Sequence, residues 1–163
     1  MLTIRCETGE DVTVTSDTLV GANLSRLNLH RALLDGQVLR DADLSDTELR
    51  SAWLEAAILD GAKLVRASLA ACNASRASFV GADLRDAMMR SGGFETANFT
   101  GADLRGANVG GATFAGATLS RADFRCEGLE RADLKGAHAD HRTKWPEGFE
   151  PTAHGVVVHG RDG

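Results

Sequence analysis

The sequence predicts an all-β solenoid built from short parallel strands stacked coil on coil, and three observations predict it. From Leu24, a step of five reaches an apolar residue at 23 consecutive positions, ending at Leu134. Two residues before each of these lies a second column, which is Ala at 17 of the 23. The residue between the two is mostly polar, and Gly, Asp, Ser and Arg are common in the two places that follow. The units Ala82-Asp83-Leu84-Arg85-Asp86 and Ala102-Asp103-Leu104-Arg105-Gly106 show the pattern.

This period does not suit a helix. At about 100° per residue, a step of five turns each leucine roughly 140° from the last, so the column winds around the cylinder and gives no apolar face. A spacing of two between Ala and Leu fits an extended segment, with both side chains on one side and the residue between them outward. The remaining two residues turn the corner. A pentad is therefore one short strand plus one turn, and it buries its leucine only by stacking on its neighbours.

Ala-Asp-Leu-x-Gly in unbroken tandem resembles the pentapeptide-repeat family, over residues 22–136. The resemblance implies a right-handed quadrilateral parallel β-helix with four pentads per coil and the small and large residues both inward. On that pattern the repeats make about six coils, a rod of roughly 28 Å at about 4.8 Å per coil. Residues 1–21 are then an N-terminal cap and 137–163 a C-terminal capping tail.

With four pentads per coil, residues twenty apart share a face. The outward column beside Leu24, Leu44, Leu64, Leu84, Leu104 and Phe124 carries Asp43, Asp83, Asp103 and Asp123, interrupted by Lys63, with Arg85, Arg105 and Arg125 alongside. These seven acidic and basic residues are the candidate partner surface: a carboxylate ladder on one reading, a self-neutralised solvated face on the other. A second face offers an uncharged strip, Ser78, Asn98 and Thr118 with Val80, Thr100 and Ser120. That composition suits ordinary β-surface as well as a partner contact. In the core, Ala74 is the one truncated centre, and larger neighbours are expected to fill the space. Cys72 falls in the small inward column as a buried, inert thiol. Glu127 falls there too, and the cost of burying a lone carboxylate predicts a distorted coil or a side chain swung to solvent.

Open ends of a β-helix expose core and backbone and need covers. Leu2, Ile4 and Cys6 alternate before Thr8-Gly9-Glu10-Asp11, and Val12 and Val14 after it, which predicts a short hairpin as the N-terminal cap. The five-residue register is expected to end after Ala139, with Trp145 and Phe149 as lids over the last coil. This Trp-Pro-Glu-Gly-Phe segment is similar to tails that follow the repeats in many bacterial members. Val156-Val157-Val158 is expected to add a strand or meet a second chain, and residues 160–163 to fray.

Function classes narrow quickly. A net charge of −5 argues against direct nucleic-acid binding. No apolar run approaches the roughly 20 residues a bilayer span needs, and nothing reads as a signal peptide, so a cytoplasmic location is expected. Cys6, Cys72 and Cys126 are odd in number and far apart, which argues against disulfides. His138, His141, His154 and His159 match no usual ligand spacing, so no metal or cofactor is expected. No catalytic motif occurs, and a rod filled with Leu and Phe has no ligand-sized cavity. The expectation is a non-enzymatic scaffold or protein–protein interaction module, with a homodimer through one end as a further option. The alternative comes from the resemblance: some family members mimic duplex DNA and bind type II topoisomerases, conferring quinolone resistance or self-protection. Residues 22–81 carry seven basic and seven acidic residues, and 82–136 seven and eight, a balance that weakens that alternative.

Overall fold

The computed structural model describes residues 1–160; residues 161–163, most of the stretch expected to fray, lie outside the described residues. Single-residue parallel bridges link Asn23 to Asp43, Asn28 to Glu48, Leu33 to Trp53 and Val38 to Ile58, and each repeats twenty residues on. One circuit therefore takes twenty residues and pairs at four points, and the chain is a β-helix, with no α-helix among the described residues. We number the four sides by these columns: face one from Asn23, face two from Asn28, face three from Leu33, face four from Val38.

The ladder is uniform because each strand does the same thing. The outward residue uses both backbone groups toward the preceding coil: Ile58 N–H donates to Gln37 O at 2.9 Å, and Ile58 O accepts from Leu39 N–H at 2.7 Å. The corners are i→i+3 turns, such as Ala42 N–H to Leu39 O at 3.2 Å around Arg40 and Asp41. From Gly21 to Arg121 the residue before each small inward residue sits at positive φ, for instance Asp41 at 56° and Gly81 at 65°. Type II turns require that conformation, which explains the glycines that recur there. Among the described residues thirteen non-glycine residues take it as well; twelve donate their N–H to a carbonyl of the next coil, and Arg121 donates its own to Asp140 Oδ1.

Inside, the large column is buried from Leu24 to Phe124 and the small column from Ala42 to Ala122, while nearer the N-terminus Leu27 is half-buried and Gln37 exposed. Phenylalanines fill the second half: Phe79 and Phe99 stack at 4.8 Å, Phe94 and Phe114 at 5.3 Å, and the two stacks meet edge to face. Ala74 is buried without exposure, next to the Phe79–Phe94 edge contact at 6.0 Å. Cys72 is 3% exposed, and burial pushes its thiol up to about 12. Among the described residues Thr47 and Thr143 are the buried polar ones, and each hydroxyl donates to a carbonyl of the coil before, Leu24 O at 2.8 Å and Leu119 O at 2.9 Å.

Within the repeats the unbroken register of the sequence slips at Glu127. Asn108 pairs with Glu127, one residue short of the regular step. Glu127 thereby takes the outward place and is exposed, while the partly buried Cys126 takes the small inward one. The carboxylate stays in water, at the expense of one corner residue. Gly128 then lies so close to the coil above that a Cβ would come 2.6 Å from Gly110 N. A 3₁₀ turn, Leu129–Arg131, restores the step by Asp133, and Leu129 fills the core from that turn.

Both ends carry covers. The strands β1 (Leu2–Ile4) and β2 (Val12–Val14) form the expected antiparallel hairpin. It docks on face three, where Glu7 N–H donates to Arg31 O at 3.1 Å and Leu33 N–H to Arg5 O at 2.8 Å. At the other end the register shifts by one residue after Ala139 instead of ending: Lys144 bridges Asp123, and Trp145 lies 5.6 Å from Phe124. Phe149 stacks on Trp145 at 5.3 Å, so both serve as the lids their positions predicted. Finally β4 (Val157–His159) adds in parallel to β3 (His138–Asp140) as one more strand of face four.

Candidate functional site

With the inward columns closed, the side chains available to a partner are the outward and corner ones. On face one the structure brings the predicted residues together. Asp43, Lys63, Asp83, Asp103, Asp123 and Lys144 are successive bridge partners, one coil apart. Each Asp aims an oxygen at the N–H two residues on, for example Arg105 N–H to Asp103 Oδ1 at 3.1 Å, an Asx turn that pins the carboxylate. The Arg side chain then folds back on the same carboxylate. Arg85 Nη2 lies 2.7 Å from Asp83, Arg105 2.6 Å from Asp103 and Arg125 2.6 Å from Asp123, and in each pair Nε makes a second bond. Arg105 also reaches Asp123 in the next coil at 4.0 Å.

The electrostatic consequence is direct. Hydrogen bonding from Arg85, Arg105 and Arg125 holds Asp83, Asp103 and Asp123 below the usual carboxylate range, against the opposing effect of partial burial. Asp43 is set apart, because Ser45 stands where the others have Arg. Its carboxyl is lowered by the Ser45 hydroxyl and N–H, and more weakly by the charge of Lys63. The column is therefore a row of bidentate Asp–Arg pairs, and three of the four carboxylates carry their own counter-ion.

On face four the polar strip is also tied up locally. Asn98 Oδ1 accepts from Thr100 N–H at 3.0 Å and from its hydroxyl at 2.6 Å. Among the described residues no three His, Cys, Asp or Glu side chains come close enough to share a metal ion. His138 and His159, distant in sequence, meet at 3.0 Å between Nδ1 and Nε2.

What the sequence reading passed over is where outward positions turn apolar. Leu33 and Trp53 on face three, and Val38 and Ile58 on face four, occupy places filled elsewhere mostly by Asp, Asn, Ser or Thr. Trp53 has a visible task at the hairpin: its indole, together with Arg31, whose Nε donates to Glu7 at 2.9 Å, holds the Glu7 carboxyl low. Two shallow hollows flank this end. One of about 280 Å³ is lined by Glu7, Arg31, Trp53 and Asn73; the other, about 230 Å³, by Leu2, Ile4, Leu19, Leu34 and Gln37. The signal was present in the sequence as apolar residues in the outward columns, these four together with Met88 on face two.

A twenty-residue circuit, filled inward columns and ordered outward columns together define a β-helical repeat solenoid. The chain belongs to the pentapeptide-repeat family: the model of pentapeptide repeats matches eight copies over residues 19–52, 47–86 and 97–126, more than half its length. Members of that family fold as right-handed β-helices. Among solved structures, the chain is similar to the pentapeptide repeat protein Rfr23 from the cyanobacterium Cyanothece 51142, with 26% identity and a TM-score of 0.57 over 78% of this chain and 87% of that one. It is similar to HetL, a pentapeptide repeat protein involved in heterocyst differentiation regulation in the cyanobacterium Nostoc sp. strain PCC 7120, with 26% identity and a TM-score of 0.41 over 86% and 77%. It is also similar to QnrB1, a plasmid-mediated fluoroquinolone resistance protein, with 19% identity and a TM-score of 0.48 over 87% and 89%. No curated protein matches the chain at a significant level.

Proposed function

We propose that this protein is a non-enzymatic rod, a quadrilateral β-helix of about six coils roughly 28 Å long, that works in the cytoplasm by docking another protein. The observation that carries this reading is the closed interior. From Leu24 to Phe124 every centre residue is buried, so the core has no room for a substrate, and the side chains on offer lie on faces and ends. Three unpaired thiols suit a reducing compartment. Face one supports a contact surface of fixed, paired charges, which favours specificity and register over raw attraction.

The alternative, a DNA mimic directed at a topoisomerase, draws on the Asp column alone. Duplex DNA presents unpaired negative charge, whereas Asp83, Asp103 and Asp123 each hold an arginine. Gyrase supercoiling assayed with micromolar protein separates the two readings. No change in supercoiling or in quinolone inhibition is expected; clear inhibition, or protection from the drug, would transfer the assignment to the mimic. Titration calorimetry against proteins captured from the native host then tests docking, with saturable binding of one partner as the expected result.

A further inference from the structure

Face three is bordered by opposite charges. Its outward column begins with Leu33 and Trp53, 44% and 39% exposed, and continues through Asn73, Gly93 and Thr113, so it is apolar above and flat below. Over the first four coils the corner between faces two and three carries Arg31, Arg50 and Arg90 and no carboxylate. The corner between faces three and four carries Asp35, Glu55 and Glu95, with Arg76 as its one cation over the same coils.

Ion pairs within the molecule take up some of these charges, Arg31 with Glu7 of the hairpin and Arg76 with Glu55. Arg50 and Arg90 on one edge, and Asp35 and Glu95 on the other, have no ionic partner among the described residues. The contrast with face one is direct. There an arginine in the same corner place folds back on its own aspartate, as Arg85 does on Asp83. On face two the Glu48 carboxylate accepts the Arg50 backbone N–H at 2.8 Å while the guanidinium stays free, and Arg90 follows Met88.

We propose that face three is self-complementary, and that two copies of this chain pair on it side by side about a two-fold axis running along the rods. A flat side can meet its own copy about two kinds of in-plane axis. An axis across the rods turns one copy upside down and sets like edge on like edge, arginines against arginines. An axis along the rods keeps the copies parallel and brings the basic edge of each to the acidic edge of the other. A two-fold permits no slide along its own direction, so each coil meets the same coil of the second copy. Arg50 and Glu55 stand at successive corners of one coil, as do Arg90 and Glu95. Arg50 therefore lies opposite Glu55 of the second copy, and Arg90 opposite its Glu95. Residues on the axis meet themselves, which covers Leu33 and Trp53, the apolar centre of the contact. Trp53 borders the hollow of Arg31, Ser51 and Ala71 on the basic side, so the two rings pass side by side. A contact centred on the next edge would cover Val38 and Ile58 too, but it sets Asp35 and Glu55 of both copies together. One side of a rod roughly 28 Å long offers on the order of 500 Å², below the roughly 800 Å² per partner of a standard interface. The dimer is therefore weak, and charge fixes its register more than its strength. Such a contact is isologous and closed, so association ends at two. It does not depend on the docking partner proposed above.

Sedimentation of the full chain from roughly 1 μM to 1 mM tests it. The weight-average mass of the wild type should rise to that of a dimer and stop there. Arg90→Glu and Glu95→Arg should each weaken pairing about tenfold or more, since each reversal sets like charges together at two symmetric places. Mixed in equal amounts, the two variants should pair with each other as wild type does with itself, because both contacts then join opposite charges. A wild type that stays monomeric throughout overturns the proposal and leaves face three to an unlike partner. Mass that climbs past a dimer overturns it too, as do single variants that pair like wild type. So does a mixture that stays monomeric while both variants keep the wild-type melting curve. If a reversal disturbs the melt, Arg90→Gln and Glu95→Gln keep the coil and should each weaken pairing about threefold; no weakening by either refutes the contact. Thr113→Cys reads the direction. On an axis along the rods the two new thiols face each other, and a short bismaleimide should join them; a dimer that fails to cross-link there is not parallel, which refutes the arrangement.

Discussion

Asp103 holds the guanidinium of Arg105, two residues on in the same pentad, by parallel bonds of 2.9 Å from Nε and 2.6 Å from Nη2. The same clasp recurs one coil above at Asp83–Arg85 and one coil below at Asp123–Arg125. A column that reads as negative residue by residue is thus close to neutral as a surface.

The clasps set an acid limit. Arginine hydrogen bonds lower Asp83, Asp103 and Asp123 in the folded state, so their stabilisation is fully present above about pH 3.9, the unfolded value. It is lost as pH falls through the lower folded values. Replacing all three by Asn should flatten the fall in melting temperature below about pH 4. At neutral pH each partly exposed pair is worth at most about 1 kcal/mol, and a small change is expected there. Identical acid limbs for wild type and variant would remove the clasps from the account.

The inward column is tested in the middle of the rod. Leu84 is fully buried, and Leu84→Lys puts an ammonium among leucines with no partner, which should abolish the cooperative melt. Phe99→Ala is milder, removing a ring in contact with Phe79, Phe94, Phe114 and Phe124, and should cost about 3–5 kcal/mol. Denaturant midpoints near the wild type for either would contradict the inward assignment.

Two glycines with similar φ separate strain from crowding. Gly136, at 71°, has open space where a Cβ would go, and Gly136→Ala should cost about 1 kcal/mol from conformation alone. Gly128, at 82°, would drive its Cβ to 2.6 Å from Gly110 N. Gly128→Ala should cost clearly more, and equal losses in thermal melts would count against the tight crossing at the register slip.

The thiols should be silent in the folded protein. Burial pushes Cys72 and Cys126 up to about 12 and raises Cys6 as well, helped there by Asp11 and Glu10. At pH 8 iodoacetamide should modify none of them over a time in which unfolded protein is labelled at all three, as read by mass spectrometry. Rapid labelling of native Cys72 would mean that its coil opens.

Most of the fold is readable in the chain, since each pentad states its own inward pair and corner. The hairpin followed from alternation on either side of Gly9, and the lids from Trp145 and Phe149. Glu127 could be recognised as misplaced by the cost of burying a carboxylate. The remedy, a skipped corner residue with Gly128 against Gly110, depends on the neighbouring coil and was not readable. The candidate surface divides in the same way. Asp83, Asp103 and Asp123 were visible as a column beside their arginines, but only side-chain geometry tells a clasp from two separate charges. Leu33, Trp53, Val38 and Ile58 broke the polar-outward pattern in plain view, without showing that Leu33 and Trp53 brace a hairpin.

The sequence settles the repeat, because burial in a solenoid is a sum of nearest-neighbour terms and five residues specify one of them. How the ends are covered is another kind of question. The hairpin docks on face three while Leu19 and Gly21 close the first coil over Leu39 and Arg40, and β4 returns to face four after a tail that carries Trp145 and Phe149. Those placements arise from contacts between residues far apart in the chain, so the ends of the rod emerge only when the whole molecule is assembled.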